Sequence, residues 1–223
     1  MFLKYLNLGL LSKDNLYYST SELLNILLIM KKIIIVHGWD GSPQEGWFPW
    51  LKTEMEKEGW NVQVPQLPNA AYPKPQEWVE TLRAVVPMPD ENTFFVGHSL
   101  GCQTILRYLE SFPQDTSIGG AVFVAGFTAL QNLDEEEKKI FEPWDQSRPD
   151  LQKISKMMKK SMAIFSDDDP WVPLEPNKEY FESIGSEIVV EHEKGHYSGN
   201  RDGCFELIIV KNCFLALIED GAQ

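Results

Sequence analysis

Three residue types in this 223-residue chain can combine into nucleophilic chemistry: a serine set between glycines, a run of aspartates, and four histidines. The serine is Ser99, in Gly97-His98-Ser99-Leu100-Gly101. Gly-x-Ser-x-Gly is the pattern of a nucleophile elbow, a sharp strand-to-helix turn that holds a hydroxyl proud of a sheet. The flanking glycines leave room where a Cβ would clash. With Gly and Ser each near 7% of residues, the pattern arises by chance in roughly one chain in fifteen of this length, so the motif needs its partners. A serine hydroxyl is a poor nucleophile near neutral pH. It requires a base to take its proton, and the base requires a third group that fixes its tautomer. After a strand–turn–helix elbow the chain order is Ser, then acid, then His.

The acid candidates are Asp167, Asp168 and Asp169, in Phe165-Ser166-Asp167-Asp168-Asp169-Pro170-Trp171-Val172-Pro173. They follow an apolar strand-like run, at the edge where open α/β sheets place their ligands. Three adjacent acids cannot all point inward, and a charged turn ended by proline accounts for at least two of them. The base candidates are His37, His98, His192 and His196. His98 lies beside the serine in the turn and points away from it, which fits a structural role. His37 ends the first strand. His192 ends the last strand, where alternation sets its direction. His196 follows Gly195 in the loop after that strand and can reach across to the elbow, the position the mechanism requires. A developing oxyanion needs donors, one from the residue after the nucleophile and one from the loop after the first strand. These are the backbone N–H groups of Leu100 and Trp39. Neither phosphate-cradling pattern, Gly-x-x-x-x-Gly-Lys-Ser/Thr nor Gly-x-Gly-x-x-Gly, occurs.

The elements that must carry these residues alternate. Continuous apolar runs predict strands at 33–36, 62–64, 94–96, 121–125, 162–165 and 188–190. Trp47, Trp50, Leu51 and Met55 recur at helical spacing before Gly59. Pro75 opens a second helix with Trp78, Val79 and Leu82 inward, and Pro87 and Pro89 end it. Cys102, Ile105, Leu106 and Leu109 mark one face of the helix after the elbow. A long closing helix is predicted from Phe205 to Ile218. The alternation implies an α/β fold: a compact, mostly parallel sheet of about six strands with helices on both faces. The segment 126–160 is longer than a simple crossover and contains Asp134-Glu135-Glu136-Glu137. It reads either as a solvated acidic helix or as a cap over a substrate pocket.

At this length and with 43% hydrophobic residues the chain is most simply one globular domain. Its net charge of −13 argues against nucleic-acid and anionic-membrane partners. Cys102, Cys204 and Cys213 form neither a metal spacing nor a disulfide framework, and a reducing, cytoplasmic setting is expected. Residues 1–29 differ from the rest. Their apolar core is interrupted at Asn7, Lys13 and Asp14, and the run from Leu23 to Met30 is too short to span a bilayer. They are read as an extension outside a domain at 30–223.

From Met30 onward the chain resembles the small α/β-hydrolases of the retinoblastoma-binding protein nine family. The resemblance lies in Ile33 to Gly38, in Gly46, Trp47, Trp50 and Leu51, in Gly97-His98-Ser99, in Asp168-Asp169-Pro170-Trp171-Val172-Pro173, and in Gly195-His196. It implies a serine hydrolase with the triad Ser99, Asp169 and His196; the Asp-x-x-Val-Pro placement favours Asp169 over Asp168. It also implies a compact sheet lacking the first strands of larger relatives. Segment 126–160 is more acidic than expected of the family, and the family's Leu-x-Cys-x-Glu partner motif is absent. The expected activity is cleavage of a small ester or related acyl substrate through an acyl-enzyme, with no metal and no cofactor. Trp39, Phe127 and Trp171 are the expected pocket walls. The rival readings are a peptidase or thioesterase, and a non-catalytic interaction module on a hydrolase scaffold.

Overall fold

The computed structural model describes residues 31–219; the proposed N-terminal extension lies outside the described residues. Six strands form a single sheet: β1 (Lys32–Val36), β2 (Asn61–Gln63), β3 (Thr93–His98), β4 (Gly120–Val124), β5 (Ser161–Ser166) and β6 (Glu187–Glu191). Their order is β2-β1-β3-β4-β5-β6 and every pairing is parallel. The helices are α1 (Phe48–Lys57), α2 (Pro75–Val85), α3 (Leu100–Glu110), α4 (Glu135–Asp145), α5 (Leu151–Ser155), α6 (Leu174–Glu182), α7 (Gly199–Asp202) and α8 (Ile208–Glu219). This is the α/β-hydrolase architecture, with the sheet wholly rather than mostly parallel.

The apolar runs become central strands because both faces of the sheet are covered. Ile33 and Ile35 pack with Trp47, just before α1, with Leu51 and Met55 of α1, and with Phe214 of α8. Ile34 and Val36 point the other way, into Trp78 and Leu82 of α2 and Ile105 and Leu106 of α3. All of these side chains are fully buried. Each contributes on the order of 1.5–3 kcal/mol by leaving water. β1 is flanked by β2 on one side and β3 on the other, so the chain reverses its direction of travel across the sheet between them. A crevice therefore opens at the carboxyl ends of β1 and β3, where ligands bind in open α/β sheets.

Two elements differ from the sequence reading. α6 carries few apolar residues, and its buried positions are Asn177 and Phe181, so no amphipathic stripe announces it. The closing helix starts at Ile208 rather than Phe205 because α7 and its loop consume the intervening chain; the Cys204 N–H turns back to the Ser198 carbonyl at 3.2 Å. Among the described residues no helix is long and apolar enough to cross a membrane.

Candidate active site

Ser99 is the one residue between β3 and α3, with φ 53° and ψ −120°. A non-glycine residue at positive φ costs about 1–3 kcal/mol and persists only where its surroundings enforce it. Two contacts enforce it here. The Ser99 N–H donates to the Val124 carbonyl at the end of β4 at 2.9 Å. Gly101 lies so close to β1 that a Cβ there would fall 2.2 Å from the Val36 carbonyl oxygen. The turn thus holds the hydroxyl at the mouth of the crevice, where Ser99 is 8% exposed.

His196 sits in the loop after β6. Its Nε2 lies 2.9 Å from Ser99 Oγ and its Nδ1 lies 2.7 Å from Asp169 Oδ2. His196 and Asp169 are 8% and 7% exposed. Asp169 also accepts from the N–H groups of Trp171 and Val172 through Oδ1, at 2.9 and 3.0 Å. Three donors therefore fix both carboxylate oxygens, and the His196 ring is gripped at both nitrogens. The geometry brings Ser99, His196 and Asp169 into one hydrogen-bonded line.

The other two aspartates of the run also act on this loop, contrary to the expectation that at least two would be mere turn residues. Asp167 takes His192 Nδ1 at 2.6 Å and the Glu193 N–H at 3.0 Å. Asp168 takes the Ser166 hydroxyl at 2.6 Å and the Gly195 N–H at 2.8 Å. Those hydrogen bonds, to His192 and to Ser166 respectively, hold both carboxyls below the ordinary aspartate range. On the far side Asp202 Oδ2 accepts from the N–H groups of His196 at 3.0 Å and Ser198 at 2.8 Å. Sequence reasoning missed Asp202, because only the folded loop brings it under His196.

His98 points away from the serine, as its place in the turn implies. Its Nε2–H donates to the His196 carbonyl at 2.8 Å, and its ring lies 5.0 Å from that of His196. Burial pushes its pKa down to about 3, with the neighbouring His196 adding to the fall, so it is a neutral donor. His37 is likewise buried and its pKa is lowered by desolvation. It donates from Nδ1 to the Gly38 carbonyl and accepts the Leu67 N–H at Nε2, which spends both nitrogens on the backbone.

Gly38, in the loop after β1, approaches so closely that a Cβ there would lie 2.9 Å from Ser99 Cβ. The two backbone N–H groups expected to receive an oxyanion, Trp39 and Leu100, donate to no acceptor among the described residues. Above Ser99 and His196 opens a cavity of about 430 Å³. All three expected wall residues, Trp39, Phe127 and Trp171, line it, together with Tyr72, Leu130 and Ile140. The Trp39 indole donates to the Ala71 carbonyl at 3.0 Å, and the Trp171 ring meets His196 edge to face at 5.1 Å. Buried Asn177 holds the wall behind Phe127 by accepting from the Thr128 and Ala129 N–H groups, a role no sequence pattern revealed. Among the described residues no cluster of His, Cys, Asp or Glu is arranged to hold a metal ion.

The chain is similar to proteins of known family. The family model described as Serine hydrolase matches residues 33–205. YdeN of Bacillus subtilis (strain 168) is 34% identical over 171 residues, covering 75% of this chain and 86% of YdeN. The serine hydrolase RBBP9 of Rattus norvegicus is 23% identical over 171 residues, covering 74% of this chain and 87% of that protein. The solved structure of the ydeN gene product superposes with a TM-score of 0.78 over 85% of this chain and 100% of that one. A serine on a strand-to-helix turn at the head of a parallel sheet, and a family match spanning the fold from β1 to α7, lead to one statement: the chain belongs to the serine hydrolase family.

Proposed function

We propose that this hydrolase cleaves a small ester through an acyl-enzyme, with Ser99 as nucleophile, His196 as general base and acid, and Asp169 as the group that orients His196. The observation that carries the reading is the unbroken line Asp169–His196–Ser99, at 2.7 and 2.9 Å, on the floor of the cavity. Ser99 Oγ attacks the ester carbonyl as His196 Nε2 takes its proton. The carbonyl oxygen gains the charge and is received by the N–H groups of Trp39 and Leu100. The tetrahedral intermediate collapses, the C–O bond to the alcohol breaks, and His196 returns the proton to the departing oxygen. Water then repeats the sequence on the acyl-serine and releases the acid. Asp169 keeps the Nδ1–H tautomer in place, leaving Nε2 free to accept. Trp39, Phe127 and Trp171 form apolar walls for the acyl or alcohol group. Within segment 126–160, Leu130, Leu133 and the first turns of α4 cap the cavity.

A small ester is favoured over a folded protein substrate because the serine is 92% covered and opens onto a cavity of ligand size. The test is labelling with a fluorophosphonate. Wild type is expected to be labelled and Ser99→Ala is not. A correctly folded wild type that resists labelling, and that hydrolyses none of a panel of ester, thioester and aminoacyl substrates, would overturn the proposal in favour of a non-catalytic scaffold.

A further inference from the structure

The cavity over Ser99 is apolar on its walls but not on its rim. Asp40 and Glu45, from the loop after β1, and Asp134, Glu136 and Glu137, from the start of α4, all line it, whereas no lysine or arginine does. None of these five carboxylates is in an ion pair with a lysine or arginine among the described residues. Two of them have structural work. Asp134 caps α4 by accepting the Glu136 and Glu137 N–H groups at 2.8 Å, and Glu137 returns the bond to the Asp134 N–H. That cap has a consequence for ligands. The positive end of α4 would otherwise draw an anion into the cavity, but its N–H groups are already spent on a carboxylate.

The remaining acids are disposed around the opening. Glu136 reaches across to the Tyr72 hydroxyl at 3.3 Å, which brings an aromatic ring and a carboxylate together at the rim. Glu45 is half-buried, and burial raises its carboxyl pKa despite a hydrogen bond from the Ser42 backbone. It is a carboxylate without a cation in a cavity built to take a ligand. The aromatic walls have the complementary chemistry, since ring faces attract cations. One of them already does so: the Arg201 guanidinium stacks on Trp171 at 4.3 Å. Arg201 offsets part of the negative charge from outside the lining. Of the two lysines on α4, Lys138 is committed to Glu135 at 2.7 Å, and neither Lys138 nor Lys139 lines the cavity.

We propose that this cavity selects esters that carry a positive charge, an ammonium or trimethylammonium group, and that Asp40, Glu45 and Glu136 with Tyr72 set that selectivity. The catalytic arm of the inference rests on the acyl-enzyme reading above; the binding arm rests on the cavity alone. The acids do not define the site, which Ser99 and the cavity define. They fix the sign of the field a substrate enters. Each carboxylate near a bound cation in a wet cavity favours it by about fivefold, and the effect falls as salt screens it.

The test uses isosteric probes. 4-Nitrophenyl 4-(trimethylammonio)butanoate is compared with 4-nitrophenyl 5,5-dimethylhexanoate, which has the same shape without the charge, and with the anionic mono-4-nitrophenyl glutarate. A second pair, acetylcholine and 3,3-dimethylbutyl acetate, places the charge on the alcohol instead. Wild type is expected to show kcat/KM at least about tenfold higher for the cationic member of one pair at low ionic strength, a ratio that shrinks in 0.5 M salt, with the glutarate slowest. The ratio is expected to fall toward one in the triple variant Asp40→Asn, Glu45→Gln, Glu136→Gln. Calorimetric binding of the same probes to Ser99→Ala measures the charge preference without turnover. A preference in Ser99→Ala, even with no hydrolysis by wild type, upholds the inference while the hydrolase reading fails. Equal binding of both members in both pairs, or a preference undiminished in the triple variant, overturns the inference even if fluorophosphonate labels Ser99.

Discussion

His98 and His37 make the stability of this fold depend on pH in a direction and window that can be stated in advance. Both rings are buried and neutral, and desolvation lowers both pKa values from the ordinary 6.5, His98 to about 3. In the unfolded chain both regain the ordinary value. Between the two values the unfolded state binds a proton that the folded state refuses, so stability rises with pH there. Each histidine's contribution is complete above pH 6.5 and is lost as pH falls toward the folded value. From pH 7.5 to pH 5 the loss integrates to about 2 kcal/mol for His98, and His37 adds to it in the same direction. The carboxyls held low, such as Glu54 at about 2, titrate below this window. Glu45, whose pKa is raised, works with the opposite sign. The measurement is urea denaturation at half-unit steps from pH 7.5 to 5, in wild type and in His98→Asn. The variant is expected to be less stable at pH 7.5, because the substitution unpairs the buried His196 carbonyl, at a cost of about 1–3 kcal/mol. Its pH dependence over this range is expected to be smaller than that of wild type by about 2 kcal/mol. An unchanged dependence would refute the assignment of His98 as a neutral buried donor.

Three further outcomes follow from contacts already described. Gly101→Ala places a Cβ 2.2 Å from the Val36 carbonyl, where only backbone can yield; a loss of more than about 4 kcal/mol is expected, and a melting temperature within 2 °C of wild type would contradict it. Ser99→Gly relieves the positive φ that Ser99→Ala retains, so thermal melts are expected to place the glycine variant about 1 kcal/mol above the alanine variant, with both inactive toward esters. Arg107 in α3 donates to the carbonyls of Trp144 and Ser147 at the end of α4, and stacks on the Trp144 ring at 5.2 Å. Arg107→Met is expected to cost about 2 kcal/mol and lower the melting temperature by about 4–8 °C, with hydrogen exchange accelerating at 135–147; unchanged exchange there would show that α4 is held by other contacts.

The centre of the sheet was legible in the sequence because its strands are buried on both faces and read as unbroken apolar runs; Ile33 to Val36 shows the effect most plainly. α6 was not, since a helix whose buried residues are an asparagine and a phenylalanine has no periodic signal. At the candidate site, Ser99 and His196 could be singled out from local pattern and chain order. The Asp167–Asp169 run could not be resolved by spacing, because adjacent residues differ only in the direction each carboxylate takes on leaving the strand. The structure gives each a different partner in one loop. The acidic rim was visible only as composition. Asp134, Glu136 and Glu137 are distant in sequence from Ser99, and only the packing of α4 over the crevice makes them neighbours of a substrate.

Ser99 and His196 are 97 residues apart, and two strands, β4 and β5, separate the strand that precedes the serine from the strand that precedes the histidine. The hydrogen bond between them closes only when four adjacent strands are in register. Such long-range pairings carry the largest loop-closure cost and form late when a chain folds. Ester cleavage is thus a reporter of the finished sheet: during refolding it is expected to return after helical circular dichroism has recovered, and collapsed forms with their helices in place remain silent.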